Sequence, residues 1–189
     1  MVSIDRQLQL ALKEWAIAVD ALSAGKTIVL LRKGGIREAN FQVRQTKFWL
    51  YPTYEHQKPH LLKPEYAAQV KSVPSGWHPD RVTIESYAEI TEAFELDNWQ
   101  QLEALYPYHI WHQTMVRDRL KWKPQQSLTV LLLRVYRAAQ PQTISYDSAY
   151  GGCKSWIELL ETIECQDSLP AIGDREYAKL VGQIEAAIS

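Results

Sequence analysis

The chain has 189 residues, 46% of them hydrophobic and 23% charged, which is the composition of an ordinary globular domain rather than a disordered one. A chain of this length buries about 70% of its unfolded surface without help from disulfides. With 21 basic and 22 acidic residues the net charge is −1, which excludes holding nucleic acid by bulk positive charge and leaves only a local basic groove.

In chain order, Ser3 is placed to cap a helix whose apolar residues Ile4, Leu8, Leu12, Trp15, Val19 and Leu22 recur at helical spacing, with Gly25 as its C-terminal stop. Lys26 to Lys33 reads as a strand. Its continuous Ile28-Val29-Leu30-Leu31 run points to a central position, and Gly34-Gly35 ends it. Phe48 to Tyr51 is a second strand, stopped by Pro52. Tyr54 to Pro79 is loop-rich, with one short helix over Pro64–Val70. A strand begins at Val82-Thr83-Ile84 and continues towards Ile90. Asp97 caps a helix through Trp99, Leu102 and Leu105 that Pro107 ends, and Thr114 to Trp122 is helical with a basic face. Leu128–Tyr136 is a strand, Pro141 to Lys154 a connection, and Ser155 caps a short helix. A last helix covers about 174–188.

This order lacks regular βαβ alternation, which excludes a doubly wound parallel sheet. The expected fold is a single α+β domain over 1–189, with a mixed or antiparallel sheet and flanking N- and C-terminal helices. The last helix is either part of its core or a peripheral extension. No internal repeat or low-complexity linker divides the chain. The N-terminus has no signal-peptide pattern and the apolar runs are far short of a membrane span, so the expectation is a cytoplasmic protein without membrane partners. Cys153 and Cys165 are too few for a disulfide framework or a zinc set.

The main candidate site is Arg32-Lys33-Gly34-Gly35. Two cations and two glycines at a strand end place charge where a ligand can approach backbone amides, and phosphate is the natural guest. The alternative is a hairpin turn with solvated cations. Neither a P-loop nor a dinucleotide glycine motif is present. Seven Trp and ten Tyr against three Phe supply rings with a polar edge, suited to ligand grooves as well as to packing. Glu55 and His56 form an acid–base pair after a strand, and His109 and His112 flank Trp111 at helical spacing. Glu55, His56 and His109 are therefore the candidates for orienter and general base in a phosphate-ester hydrolase or nuclease. No metal set is assigned, because Pro59 separates His56 from His60, and no cofactor is indicated. Cys153 precedes the expected Ser155 helix and adjoins Lys154, a setting that lowers a thiol pKa; a buried structural thiol is the plainer reading. The run Arg117, Arg119, Lys121, Trp122, Lys123 mixes cations with a ring, which tracks a phosphate backbone or is simply a solvated face.

Several stretches together resemble an uncharacterised bacterial family, domain-of-unknown-function family 1802. They are Ala11-Leu12-Lys13-Glu14-Trp15, Leu30 to Ile36, Tyr51 to Gln57, Leu131 to Tyr136 and Gly151 to Trp156. Members that occur beside restriction-endonuclease-like domains imply a role near DNA restriction or modification. The opening, a helix followed by Leu22-Ser23-Ala24-Gly25-Lys26-Thr27 and a strand ending in Arg32, also resembles PUA-like (ASCH-type) domains. That resemblance implies a small β-barrel that binds RNA or modified bases. Arg32 and Lys33 would then line a nucleotide cleft with Tyr54, Trp111 and Trp156. The leading expectation is a nucleic-acid or nucleotide-binding module contacting DNA, RNA or a nucleotide through Arg32, Lys33, Gly34, Gly35, Tyr54, His56, Trp111, Lys154 and Trp156. The alternatives are the hydrolase above and a protein–protein adaptor.

Overall fold

The computed structural model describes residues 7–33 and 41–189. Among the described residues seven strands form one sheet: β1 (Gln7–Trp15), β2 (Val29–Arg32), β3 (Lys47–Thr53), β4 (Arg81–Leu96), β5 (Leu128–Ser145), β6 (Trp156–Glu164) and β7 (Leu169–Pro170). The helices are α1 (Ala16–Ser23), α2 (Pro64–Ala67), α3 (Trp99–Ala104), α4 (Gln113–Lys121) and α5 (Asp174–Ile188). The strand order is β2-β5-β4-β3-β1-β6, with β7 added to β5. Only β1 and β3 run parallel among these pairs, so the sheet is mixed, and its path has two ends rather than closing.

Two expected helices are strands. Residues 7–15 form β1, because Leu8, Leu10 and Leu12 also recur with a period of two; all three pair with β6, and from Ala11 onwards the strand pairs with β3 as well. The helix begins only at Ala16. Ser155 precedes β6 rather than a helix: Trp156, Ile157 and Leu159 are buried while Glu158 and Leu160 are exposed. Expected strand limits also move, two of them past a proline. β3 runs through Pro52 to Thr53, and β5 runs through Pro141 to Ser145. Pro52 is tolerated because β3 pairs with β4 only over Lys47–Trp49, leaving its far end unpaired on that side. β2 is terminal in the sheet rather than central, yet Val29, Leu30 and Leu31 are at most 2% exposed. Helices supply the cover: Val29 and Leu31 pack with Ile17, Ala18 and Ala21 of α1 and with Met115 of α4.

The end of α1 is a Schellman turn. Gly25 (φ +68°) donates its N–H to Leu22 O, and Lys26 donates to Ala21 O. α3 is capped by Asn98, one residue beyond the expected Asp97, and α4 by the ring of His112. α5 covers the expected residues and docks through Ile184 and Ile188, which join the same core cluster as Val29 and Leu31.

Candidate functional site

β3 and β4 part company after the Trp49–Tyr87 pair, because β4 continues along β5 while β3 stays with β1. A cleft of about 740 Å³ opens in this region. Tyr51, Pro52 and Thr53 of β3, Lys13 and Glu14 of β1 and Val82 of β4 line it, together with residues of the 54–56, 76–79 and 146–155 loops. Three cross-links position these loops. Lys13 Nζ donates to Tyr150 O at 2.6 Å and Gly152 O at 2.8 Å. Gln57 Oε1 accepts the Ile17 N–H at 3.0 Å, capping the first turn of α1 in place of a conventional side-chain cap. Glu55 Oε1 accepts Gly76 N–H at 2.5 Å and the Ser75 hydroxyl at 3.2 Å, tying the first two loops together.

Aromatic rings cluster at this cleft. Trp77 is 41% exposed and meets Tyr54 edge to face at 5.9 Å. His78 stacks on Tyr146 at 3.4 Å, and Tyr51 packs against Tyr150 at 5.6 Å. Burial pushes the Tyr51 phenol well above its usual range and holds the Tyr54 phenol up as well, so both are hydroxyl groups at neutral pH.

The cations divide into engaged and available ones. Arg32 lines the cleft but is bound within the protein: one terminal nitrogen donates to Glu14 Oε2 at 2.7 Å and the other to Ser155 Oγ at 2.7 Å. Its guanidinium also lies 5.0 Å from the Phe41 ring. Lys33 is buried and donates to the Arg119 and Leu120 carbonyls at the end of α4, where a cation complements the helix dipole. Burial, then Arg119 and Lys123, lowers its pKa. Gly34 and Gly35 lie outside the described residues. Lys154 is exposed and lines the cleft, with its ammonium 3.4 Å from Ala149 O. Arg119 also lines it, donating to Leu31 O at 3.2 Å. Burial is the main cause that lowers the pKa of Lys13 and of Arg119, with Glu14 holding Arg119 up.

Of the candidate bases, His56 lines the cleft, with Nε2 3.2 Å from Glu55 Oε1. The Gly76 N–H is the first cause that lowers the Glu55 pKa, with His56 contributing. His109 does not line the cleft. It is 2% exposed beside Tyr106 and Lys63, and burial pushes its pKa down to about 3. Trp111 is also core, at 1% exposure, and Trp156 is buried between Phe41 and Phe48. The structure therefore brings together Arg32, Tyr54, Glu55, His56 and Lys154, and places Lys33, His109, Trp111 and Trp156 elsewhere. Cys153 lines the cleft, but a strand follows it, so the expected helix N-terminus is absent. No cluster of three metal-ligating side chains occurs among the described residues, and no described helix is long and apolar enough to cross a membrane. The sequence pattern did not single out Lys13, Trp77, His78 or Tyr146. The one available signal was a Trp-His pair inside a proline-rich loop.

Fold and cleft define an α+β domain with a mixed sheet that splays at one end over an aromatic, partly cationic cavity. The chain belongs to the family described as Domain of unknown function (DUF1802), which matches residues 11–183. Among curated proteins, none matches it by sequence. Of solved structures, it is similar to ASCH from Zymomonas mobilis, at 15% identity over 92% of this chain and 93% of that chain, with a TM-score of 0.45. It is similar also to a single-substitution mutant of that protein, at 14% identity over 92% of this chain and 94% of that chain, with a TM-score of 0.44.

Proposed function

We propose that the chain is a binding module for a nucleotide or a short single-stranded stretch of nucleic acid, held in the cleft between β3 and β4. One observation carries this reading: exposed Trp77 with Tyr54, and His78 with Tyr146, line the same 740 Å³ cleft as Lys154 and Arg119. Rings offer stacking platforms to bases of any sequence, and nearby cations follow the phosphates. The volume falls within the roughly 300–1,000 Å³ typical of small-molecule sites. Arg32 contributes by holding the cleft wall through Glu14 and Ser155.

The test is a fluorescence-anisotropy titration with short labelled RNA and DNA oligonucleotides at several salt concentrations. Trp77→Ala is expected to weaken binding by about 1–3 kcal/mol, the value of one base stack. Lys154→Ala is expected to weaken it across all sequences and reduce the salt slope by about 1. Wild-type protein that binds no oligonucleotide at low salt overturns the reading.

A further inference from the structure

The segment before β4 has little core of its own to hold it. Within residues 71–79 only Val73 and Pro79 are even partly buried. A loop so exposed opens at little cost, and a ring that its ligand must first put in order binds that ligand less tightly. Trp77 nevertheless closes a tight turn. Its N–H donates to Pro74 O at 3.1 Å, and Gly76, at φ +78°, stands where a type II turn reserves a place for glycine.

Glu55 secures that turn from outside. Its Oε1 accepts the Gly76 N–H and the Ser75 hydroxyl, and among the described residues these are the hydrogen bonds that join 74–77 to another segment. Tyr54, the preceding residue, meets the Trp77 ring edge to face. Two consecutive residues therefore hold the turn and the ring. They can do so because their own segment is fixed at both ends: β3 runs to Thr53, and Gln57 Oε1 accepts the Ile17 N–H of α1. His56, at φ +66°, makes the sharp bend between those anchors. The carboxylate expected to orient a general base is thus engaged with the turn that carries Trp77. Resting on the binding role proposed for the cleft, we infer that Glu55 is a positioning residue, which fixes the Pro74–Trp77 turn so that Trp77 meets a base already in place. The role needs a hydrogen-bond acceptor rather than a charge, so Gln can fill it and Ala cannot.

The experiment is a double-mutant cycle on the full chain, read by fluorescence anisotropy with one short labelled RNA. Glu55 has 32% of its side chain exposed, so its replacement leaves the fold intact. Glu55→Ala should weaken binding about three- to tenfold, the range for ordering one side chain on binding. Glu55→Gln, which keeps the acceptor, should stay within about twofold of the wild type. In a Trp77→Ala background Glu55→Ala should cost nothing more, because the ring it positions is gone. Three results overturn the assignment: no loss in Glu55→Ala, the same loss with and without Trp77, or a loss in Glu55→Gln as deep as in Glu55→Ala. The cleft reading survives any of them while Trp77→Ala itself weakens binding. If the wild type binds no oligonucleotide, or Trp77→Ala binds as the wild type does, both proposals fall.

Discussion

Replacing His109 by Asn should flatten the acid dependence of stability. His109 is 2% exposed, its Nδ1 accepts the Trp111 backbone N–H at 3.2 Å, and its buried Nε2 has no hydrogen-bond partner among the described residues. Burial first, and the nearby Lys63 charge second, push its pKa from 6.5 down to about 3. A lowered folded pKa means that unfolding takes up a proton between these two values, so the stabilisation is complete above 6.5 and drains away as pH falls towards about 3. At about pH 7 the unfolded group holds roughly a quarter of a proton and at about pH 5 nearly a whole one, which integrates to about 2 kcal/mol lost over that interval. The figure barely depends on the folded value, since the folded group stays neutral throughout the interval. Asn offers an acceptor near the position of Nδ1 and does not titrate, so all other groups contribute equally to both proteins. Urea unfolding at a series of pH values should show the wild type losing about 2 kcal/mol more than His109→Asn between about pH 7 and pH 5. Parallel curves of stability against pH would refute the reasoning. They would also restore His109 as a group that can gain a proton in the folded state, as a general base must.

The Glu14–Arg32 pair should be unforgiving of one-sided change. Arg32→Ala leaves the Glu14 carboxylate buried at 4% side-chain exposure without the guanidinium that bonds it, a loss of about 3–5 kcal/mol by urea unfolding; a loss below about 1 kcal/mol would mean that water or Arg119 replaces that guanidinium. Gly25→Ala combines a left-handed φ of +68° with a Cβ that would lie 2.4 Å from Ile172 Cγ2 and 3.0 Å from Ala171 O. Gly76→Ala has a similar φ of +78° and open space around it, so it isolates the backbone strain. The melting temperature should fall further for Gly25→Ala, by the equivalent of about 1–3 kcal/mol of overpacking; equal losses in the two would show that the 171–172 segment yields freely.

The helix at 174–188 was legible from its single helical period, and the strands around Leu50 and Leu131 from continuous apolar runs with clear punctuation. β1 was not, since Leu8, Leu12, Trp15 and Val19 fit a helix while Leu8, Leu10 and Leu12 fit a strand. Tertiary pairing on both edges decided the matter. Within the site, the Glu55-His56 pair and Tyr54 were legible as neighbours in sequence. The fate of Arg32 and Lys33 was not, because Glu14, Ser155 and the end of α4 reach them only through the fold. A cation at a strand end looks the same in sequence whether it awaits a phosphate or already faces a carboxylate.

The position of β1 bears on how the molecule assembles. Leu12 pairs with Leu50 on one side and Trp156 on the other, so β1 is completed only by a strand that comes much later in the chain. Closing so long a loop is slow, because its entropy must be surrendered before the contacts reward it. The β4–β5 ribbon, joined through the helical segment between them, can form earlier, while β1 waits with an open edge. During synthesis that edge, with Leu8, Leu10 and Leu12 along it, is the stretch most in need of shielding from other chains.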